Sequence, residues 1–202
     1  MILQRTFYQR DILEVSRDLL GKILVHQTGE GVTAGKIVET EAYCGPEDRA
    51  AHSYGGRKTP RNAIMFGEKG HAYVYLIYGM YYCVNMTVGN VVGKPEAVLI
   101  RALEPVEGLD LMAKRRGNPK GKAQILTNGP GRLCMALGIT KAQYGADLTV
   151  SPFYIKDAEP VLSQDIVETA RVGIDYAGEW VGKPWRFYIK GNSYVSRAWN
   201  PV

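Results

Sequence analysis

The stretch IVETEAY (residues 37–43) carries Glu39, Glu41 and Tyr43 at alternate positions. In an extended strand this spacing puts all three side chains on one face, with Val38, Thr40 and Ala42 on the other. A glutamate partly desolvated among aromatic rings can take a proton from water. Glu41 is the stronger candidate because it adjoins Tyr43 and leads directly into a long irregular segment; Glu39 is its competitor. Without such a setting a strand glutamate is ordinarily a surface residue.

A second concentration lies in HAYVYLIYGMYYCVNM (71–86), which holds five of the chain's 13 tyrosines, whereas the whole chain has four phenylalanines. Buried phenols each need a hydrogen-bond partner, so this is a costly core but a good surface for stacking flat ligands. Other chemistries find no support. His26, His52 and His71 form no HxxxH or HExxH spacing, Cys44, Cys83 and Cys134 form no CxxC, and neither GxSxG nor a phosphate-binding Walker pattern occurs. No metal and no cofactor are expected.

The elements that must position these residues follow from periodicity and punctuation. DILEVSRDLLG (11–21) predicts a helix capped by Asp11 and ended by Gly21. Residues 22–27 and 32–43 predict a hairpin turning at 28–31. The segment 44–62 lacks periodicity and reads as a long irregular loop, a kind of segment that is often functional. Two strands meet at Tyr78-Gly79-Met80, with Tyr73, Tyr75 and Ile77 sharing a face and Tyr78 exposed near the tip. A strand over 97–105, a helix over 107–117, a basic loop NPKGKAQ and a short helix after the turn NGPG (128–131) follow. Amides at that last helix start could hold a phosphate, although an ordinary helix entry is the commoner use. Residues 162–174 predict a helix capped by Ser163, and 186–191 a closing strand. Hairpins and helices without regular strand–helix alternation give an α+β class with a largely antiparallel sheet.

At 202 residues, 46% of them hydrophobic, the chain builds one substantial core, read as a single domain over 1–202. No apolar run approaches a membrane span, and the N-terminal residues lack a secretory pattern, so a cytoplasmic or nucleoid setting is expected. The net charge of +5 is unevenly spread: residues 49–146 carry 14 lysines and arginines against five acids, and no acid occurs from Leu111 to Ala146. Cations interleaved with aromatics suit nucleic acid, since cations replace phosphate counterions and rings meet bases. A solvated basic face is the plainer alternative.

The run IVETEAYCGPEDRAAHSYGGRKTPRNAIMF (37–66), with YVYLIYGMYYCVN (73–85), LIRALEP (99–105), NGPGRLCMALGI (128–139) and RVGIDYAGEW (171–180), resembles the alkyladenine, or 3-methyladenine, DNA glycosylase family. The resemblance implies a curved antiparallel sheet with surrounding helices and a protruding hairpin. It also implies hydrolysis of the N-glycosidic bond of damaged purines flipped from duplex DNA. By resemblance Glu41 activates water, helped by Arg101 and the main chain of Val172. Tyr43, His52, Tyr75 and Asn85 form the base pocket, with Asn85 disfavouring guanine. Tyr78 fills the gap left in the DNA, and Arg57, Thr59 and Met65 contact DNA. Tyr73, Tyr81 and Tyr82 are left as structural. No lysine nucleophile is implied, so base release without strand cleavage is expected. The implied partner is damaged double-stranded DNA; a monomer suffices, with no obligate protein partner and no membrane. The stretches 87–96 and 115–124 look variable.

Two other readings compete. A non-catalytic lesion-binding module would keep the basic middle and Tyr78 but has no need of Glu41 with Arg101. A small-molecule glycosidase ordinarily pairs two carboxylates and has no use for an acid-free basic stretch.

Overall fold

The computed structural model describes residues 1–196. In chain order its elements are α1 (Arg5–Tyr8), α2 (Ile12–Asp18), β1 (Ile23–Thr28), β2 (Gly31–Tyr43), β3 (Ala72–Ile77), β4 (Tyr81–Val88), β5 (Glu96–Glu107), α3 (Leu109–Arg115), α4 (Pro130–Leu137), β6 (Phe153–Lys156), β7 (Ile166–Thr169) and β8 (Arg186–Ile189), joined by loops and short 3-10 turns.

Asp11 caps α2 as its type predicts: its carboxylate accepts from the amides of Leu13 and Glu14 at 2.9 and 3.2 Å. Pro130 opens α4, whose missing N–H costs nothing there, and Gly138 ends it at φ +69°. Both helices bury an apolar stripe against the sheet. Each large aliphatic side chain fully buried there contributes about 1.5–3 kcal/mol.

Every strand pairing is antiparallel, in the order β3-β4-β5-β2-β1-β6. Strand β2 is long enough to change partners along one edge. Its residues Gly31–Lys36 pair with β1, while Glu39–Glu41 pair with β8, which in turn pairs with β7. The resulting sheet curls, and the class is mixed α+β. One face of β2–β5 carries Ala42, Val74, Val84, Met86, Val98 and Ile100 into the main core. The other face is left for the site. No helix among the described residues is long and apolar enough to cross a membrane.

One element differs in kind from the sequence expectation. Residues 162–174 are not a helix: a 3-10 turn at Ser163–Asp165 leads into β7, and Ser163 caps nothing. The β-branched residues Ile166, Val167 and Thr169 favour an extended chain, and pairing with β8 satisfies that strand's outer edge, which a helix would leave open. The strand expected over 97–105 runs longer, Glu96–Glu107, and the following helix is correspondingly shorter.

The segment 44–62 is irregular but firmly held. Asp48, fully buried, accepts from the amides of Cys44 and Ala50 and pairs with Arg171 through Nη1 and Nη2 at 2.5 and 2.9 Å. Asn62, 1% exposed, accepts from the Thr59 amide and hydroxyl and donates to the carbonyls of His52 and Arg57.

Candidate active site

Strict alternation along four neighbouring strands builds one wall. Tyr73, Tyr75 and Ile77 on β3, Tyr81, Cys83 and Asn85 on β4, and Ala97, Leu99 and Arg101 on β5 all line a cavity of about 310 Å³, with Tyr43 at the end of β2. His52 and Met65 from the irregular segment, Pro130 and Gly131 from the start of α4, and Val172–Ile174 with Tyr176 close it. A Cβ on Gly131 would stand 3.0 Å from that of Tyr81, so glycine is what lets α4 approach the hairpin.

A pair of irregularities in the β2–β5 ladder places the charged groups. Ile37 pairs with Leu103 and Glu39 with Ala102, so Val38 is an extra residue on β2; Thr40 then pairs with Ile100, so Arg101 is the extra residue on β5. A bulged residue escapes the ladder and its side chain is re-aimed. Arg101 turns between the two carboxylates: its Nε donates to Glu39 Oε1 at 2.8 Å, and its Nη1 lies 3.2 Å from Glu41 Oε2.

Glu41 is fully buried just behind the cavity wall. The Val172 amide donates to its Oε1 at 2.7 Å, and the Tyr43 hydroxyl to its Oε2 at 2.9 Å. With Arg101, three donors face a carboxylate that offers roughly four acceptor positions, so about one remains for a water. Burial, then the Glu41 charge, holds the Tyr43 phenol well above its usual range, keeping it a donor. Burial opposes the charge on Arg101, but Glu41 and Glu39 outweigh it and hold the guanidinium ionised. Arg171, fixed by Asp48, lies against the Tyr43 ring at 4.9 Å and so backs that wall.

The rings opposite form a second cluster. His52 meets Tyr75 edge-on at 4.7 Å between centroids, Tyr75 lies 5.3 Å from Tyr73, and His52 Nδ1 is 2.7 Å from the Tyr73 hydroxyl. Burial, reinforced by Arg61, lowers His52 to about 4, so the ring is neutral at pH 7. Burial pushes the Cys83 thiol up to about 11, which removes thiolate chemistry from the cavity. Asn85 is pinned by its amide, which donates to the Tyr73 carbonyl at 3.1 Å.

The structure therefore brings Glu41, Arg101 and Val172 together, and sets Tyr43, His52, Tyr75, Asn85 and Tyr78 around one cavity. Tyr78 stands at its lip, 83% exposed, on the three-residue hairpin tip. Met65 is 1% exposed and faces the cavity, so any DNA contact it makes is with what enters there. Arg57, exposed, and Thr59, half-buried, lie outside the lining, on the stretch that Asn62 organises. Of the tyrosines set aside as structural, Tyr73 and Tyr81 line the cavity and Tyr82 does not. Tyr176, Ile174 and the Asp48–Arg171 pair carried no signal of their own in the sequence. Alternation along β4 could have found Tyr81 and Cys83, since both share a face with Asn85.

A family model described as methylpurine-DNA glycosylase (MPG) matches residues 6–193. The chain belongs to the methylpurine-DNA glycosylase family. Relatives in Clostridium acetobutylicum and Desulfitobacterium hafniense are each 52% identical, over 97% and 96% of this chain and 98% of their own length. One in Bacillus cereus is 50% identical over 95% of this chain and 97% of its own. All three are named, by assignment, 3-methyladenine DNA glycosylases. Membership in this glycosylase family makes the chain a DNA glycosylase of the methylpurine type, with damaged DNA as its substrate class.

Proposed function

We propose that the cavity receives a single damaged purine flipped out of duplex DNA and that Glu41 directs water onto its sugar. The observation that carries this is one buried carboxylate held by Val172, Tyr43 and Arg101, all three of which line an aromatic cavity with an exposed tyrosine at its lip. Water oxygen bonds to C1′ as the bond from C1′ to the base nitrogen breaks; the electron pair leaves with the base, and the water's proton passes to Glu41. The developing oxocarbenium charge is stabilised by the same carboxylate.

Tyr43 on one side and Tyr75 with His52 on the other supply faces and edges for the extruded base; stacking on such rings is worth about 1–3 kcal/mol, comparable to the cost of unpairing a weakened base. Asn85, unable to swing because its amide is bonded, meets the exocyclic amino group of a normal guanine and disfavours it. Alkylated bases such as 3-methyladenine and 7-methylguanine carry positive charge and leave readily; hypoxanthine and ethenoadenine depend more on the fit. Tyr78 fills the vacated stack, and Arg57 and Thr59 meet the DNA backbone. Among the described residues the cavity lining includes no lysine, which supports a reaction that ends at an abasic site with the strand intact.

Single-turnover base release from a duplex with one hypoxanthine tests this. Wild type should leave an alkali-labile abasic site, and Glu41→Gln should bind equally but react about 100- to 10,000-fold more slowly. Binding without release by wild type, on methylated DNA as well, would make the protein a lesion-binding module instead.

A further inference from the structure

Glu39 lies outside the cavity lining, fully buried, yet four donors converge on it. Arg101 Nε, Arg186 Nε and the Ser196 hydroxyl donate to its Oε1 at 2.8, 2.7 and 2.9 Å, and the Ser196 amide donates to Oε2 at 2.6 Å. Arg101 Nη2 also donates to Ser196 Oγ at 3.3 Å.

If Glu39 served only to neutralise Arg186, the two would share a bidentate contact, the favoured geometry of such pairs. Instead Arg186 reaches it through Nε, and Arg186 Nη2 is buried without a hydrogen-bond partner among the described residues. The remaining acceptor capacity of Glu39 goes to Arg101 and Ser196. The consequence falls on the guanidinium: Nε and Nη2 are both taken, which fixes its plane, and Nη1 is the nitrogen left to face Glu41 at 3.2 Å.

We infer that Glu39, locked in place by Ser196, is a positioning residue for base release: it holds the Arg101 guanidinium so that Nη1 addresses Glu41 at the cavity wall. This rests on the reading of Glu41 and Arg101 given above. Two carboxylates against two guanidiniums leave the cluster neutral, so what Glu39 adds is orientation; a small misplacement of a group near the reacting atoms is costly in rate.

The test is single-turnover base release from a hypoxanthine duplex, per active site titrated on abasic DNA, for Glu39→Gln, Glu39→Ala, Ser196→Ala, Arg101→Ala, Glu39→Ala with Arg101→Ala, and Glu41→Gln. Glu39→Gln should lose about tenfold or more in rate, with abasic-duplex affinity kept within about twofold. Ser196→Ala should lose less in the same direction. In the Arg101→Ala background, Glu39→Ala should cost nothing further, because the residue it positions is gone. A purely structural Glu39 would instead lower melting temperature while leaving the rate per active site unchanged, or multiply with Arg101→Ala; either overturns the inference. If Glu39→Ala does not fold, the near-isosteric Gln variant and Ser196→Ala decide it. Glu41→Gln releasing base at the wild-type rate would overturn the parent reading separately.

Discussion

Tyr78 holds a left-handed backbone conformation, φ +53°, while leaving 83% of its surface to solvent. Such a conformation costs an L-residue roughly 1–2 kcal/mol, and glycine nothing comparable. The ring is left largely to solvent in the free protein, which supports the proposal that it acts on DNA. Tyr78→Gly should therefore keep or raise the melting temperature while lowering base release from duplex, measured by thermal unfolding alongside single-turnover kinetics; a destabilised variant with full activity would contradict this. His52 gives a pH prediction. An unfolded histidine takes its proton near 6.5, and folded His52 only near about 4, because of burial first and Arg61 second. Stability supplied by the neutral ring is thus whole above pH 6.5 and is lost as pH falls toward about 4. His26 is shifted in the same direction, chiefly by burial, so the comparison is with His52→Gln. That variant should lose less melting temperature than wild type between about pH 7 and about pH 4.

Among elements, the irregular segment 44–62 shows how a loop is made rigid enough to carry a site. Asp48 and Arg171 are both fully buried in their side chains, and Arg171 also donates to the Ala42 carbonyl at 2.9 Å. Asp48→Asn would leave the guanidinium buried and uncompensated, with an expected loss of about 3–5 kcal/mol in denaturant unfolding. Replacing both partners by apolar residues of similar volume should cost less than that single change. None of this was legible beforehand, since a pair 123 residues apart leaves no local pattern. The cap at Asp11, the hairpin at 28–31 and the tip at 78–80 were legible because each rests on neighbours in sequence. Strand alternation likewise put Tyr73 and Tyr75 on one face and Glu41 beside Tyr43. Alternation with Ala97 and Leu99 gives the side of the sheet that Arg101 faces; its seat between Glu39 and Glu41 was not legible, because it depends on two facing bulges that only strand pairing creates. Residues 162–174 misled because apolar spacing compatible with a helix coincided with β-branched residues and an open strand edge.

At the scale of the molecule, a net charge of +5 and an isoelectric point near 9.0 favour a polyanion. Binding to undamaged duplex should weaken as salt rises, with a log–log slope of about −0.9 per phosphate contacted. Arg57→Ala should reduce that slope by about one without changing the ranking of lesions, whereas Asn85→Ala should alter the ranking and leave the slope alone; fluorescence anisotropy across a salt series reads both. The wall of the site has a further consequence, for length. Its residues on β3, β4, β5 and β2 occupy odd-numbered positions, from Tyr73 to Arg101 with Tyr43, while Val74, Val84, Val98 and Ala42 between them face the core. A substitution here disturbs one side chain. A one-residue deletion inside any of these strands exchanges a whole row, turning phenols into the core and valines toward the cavity. Natural insertions and deletions should therefore collect at 89–95 and 116–122, and the gap-free strands of related chains would mark out the wall without any structure at all.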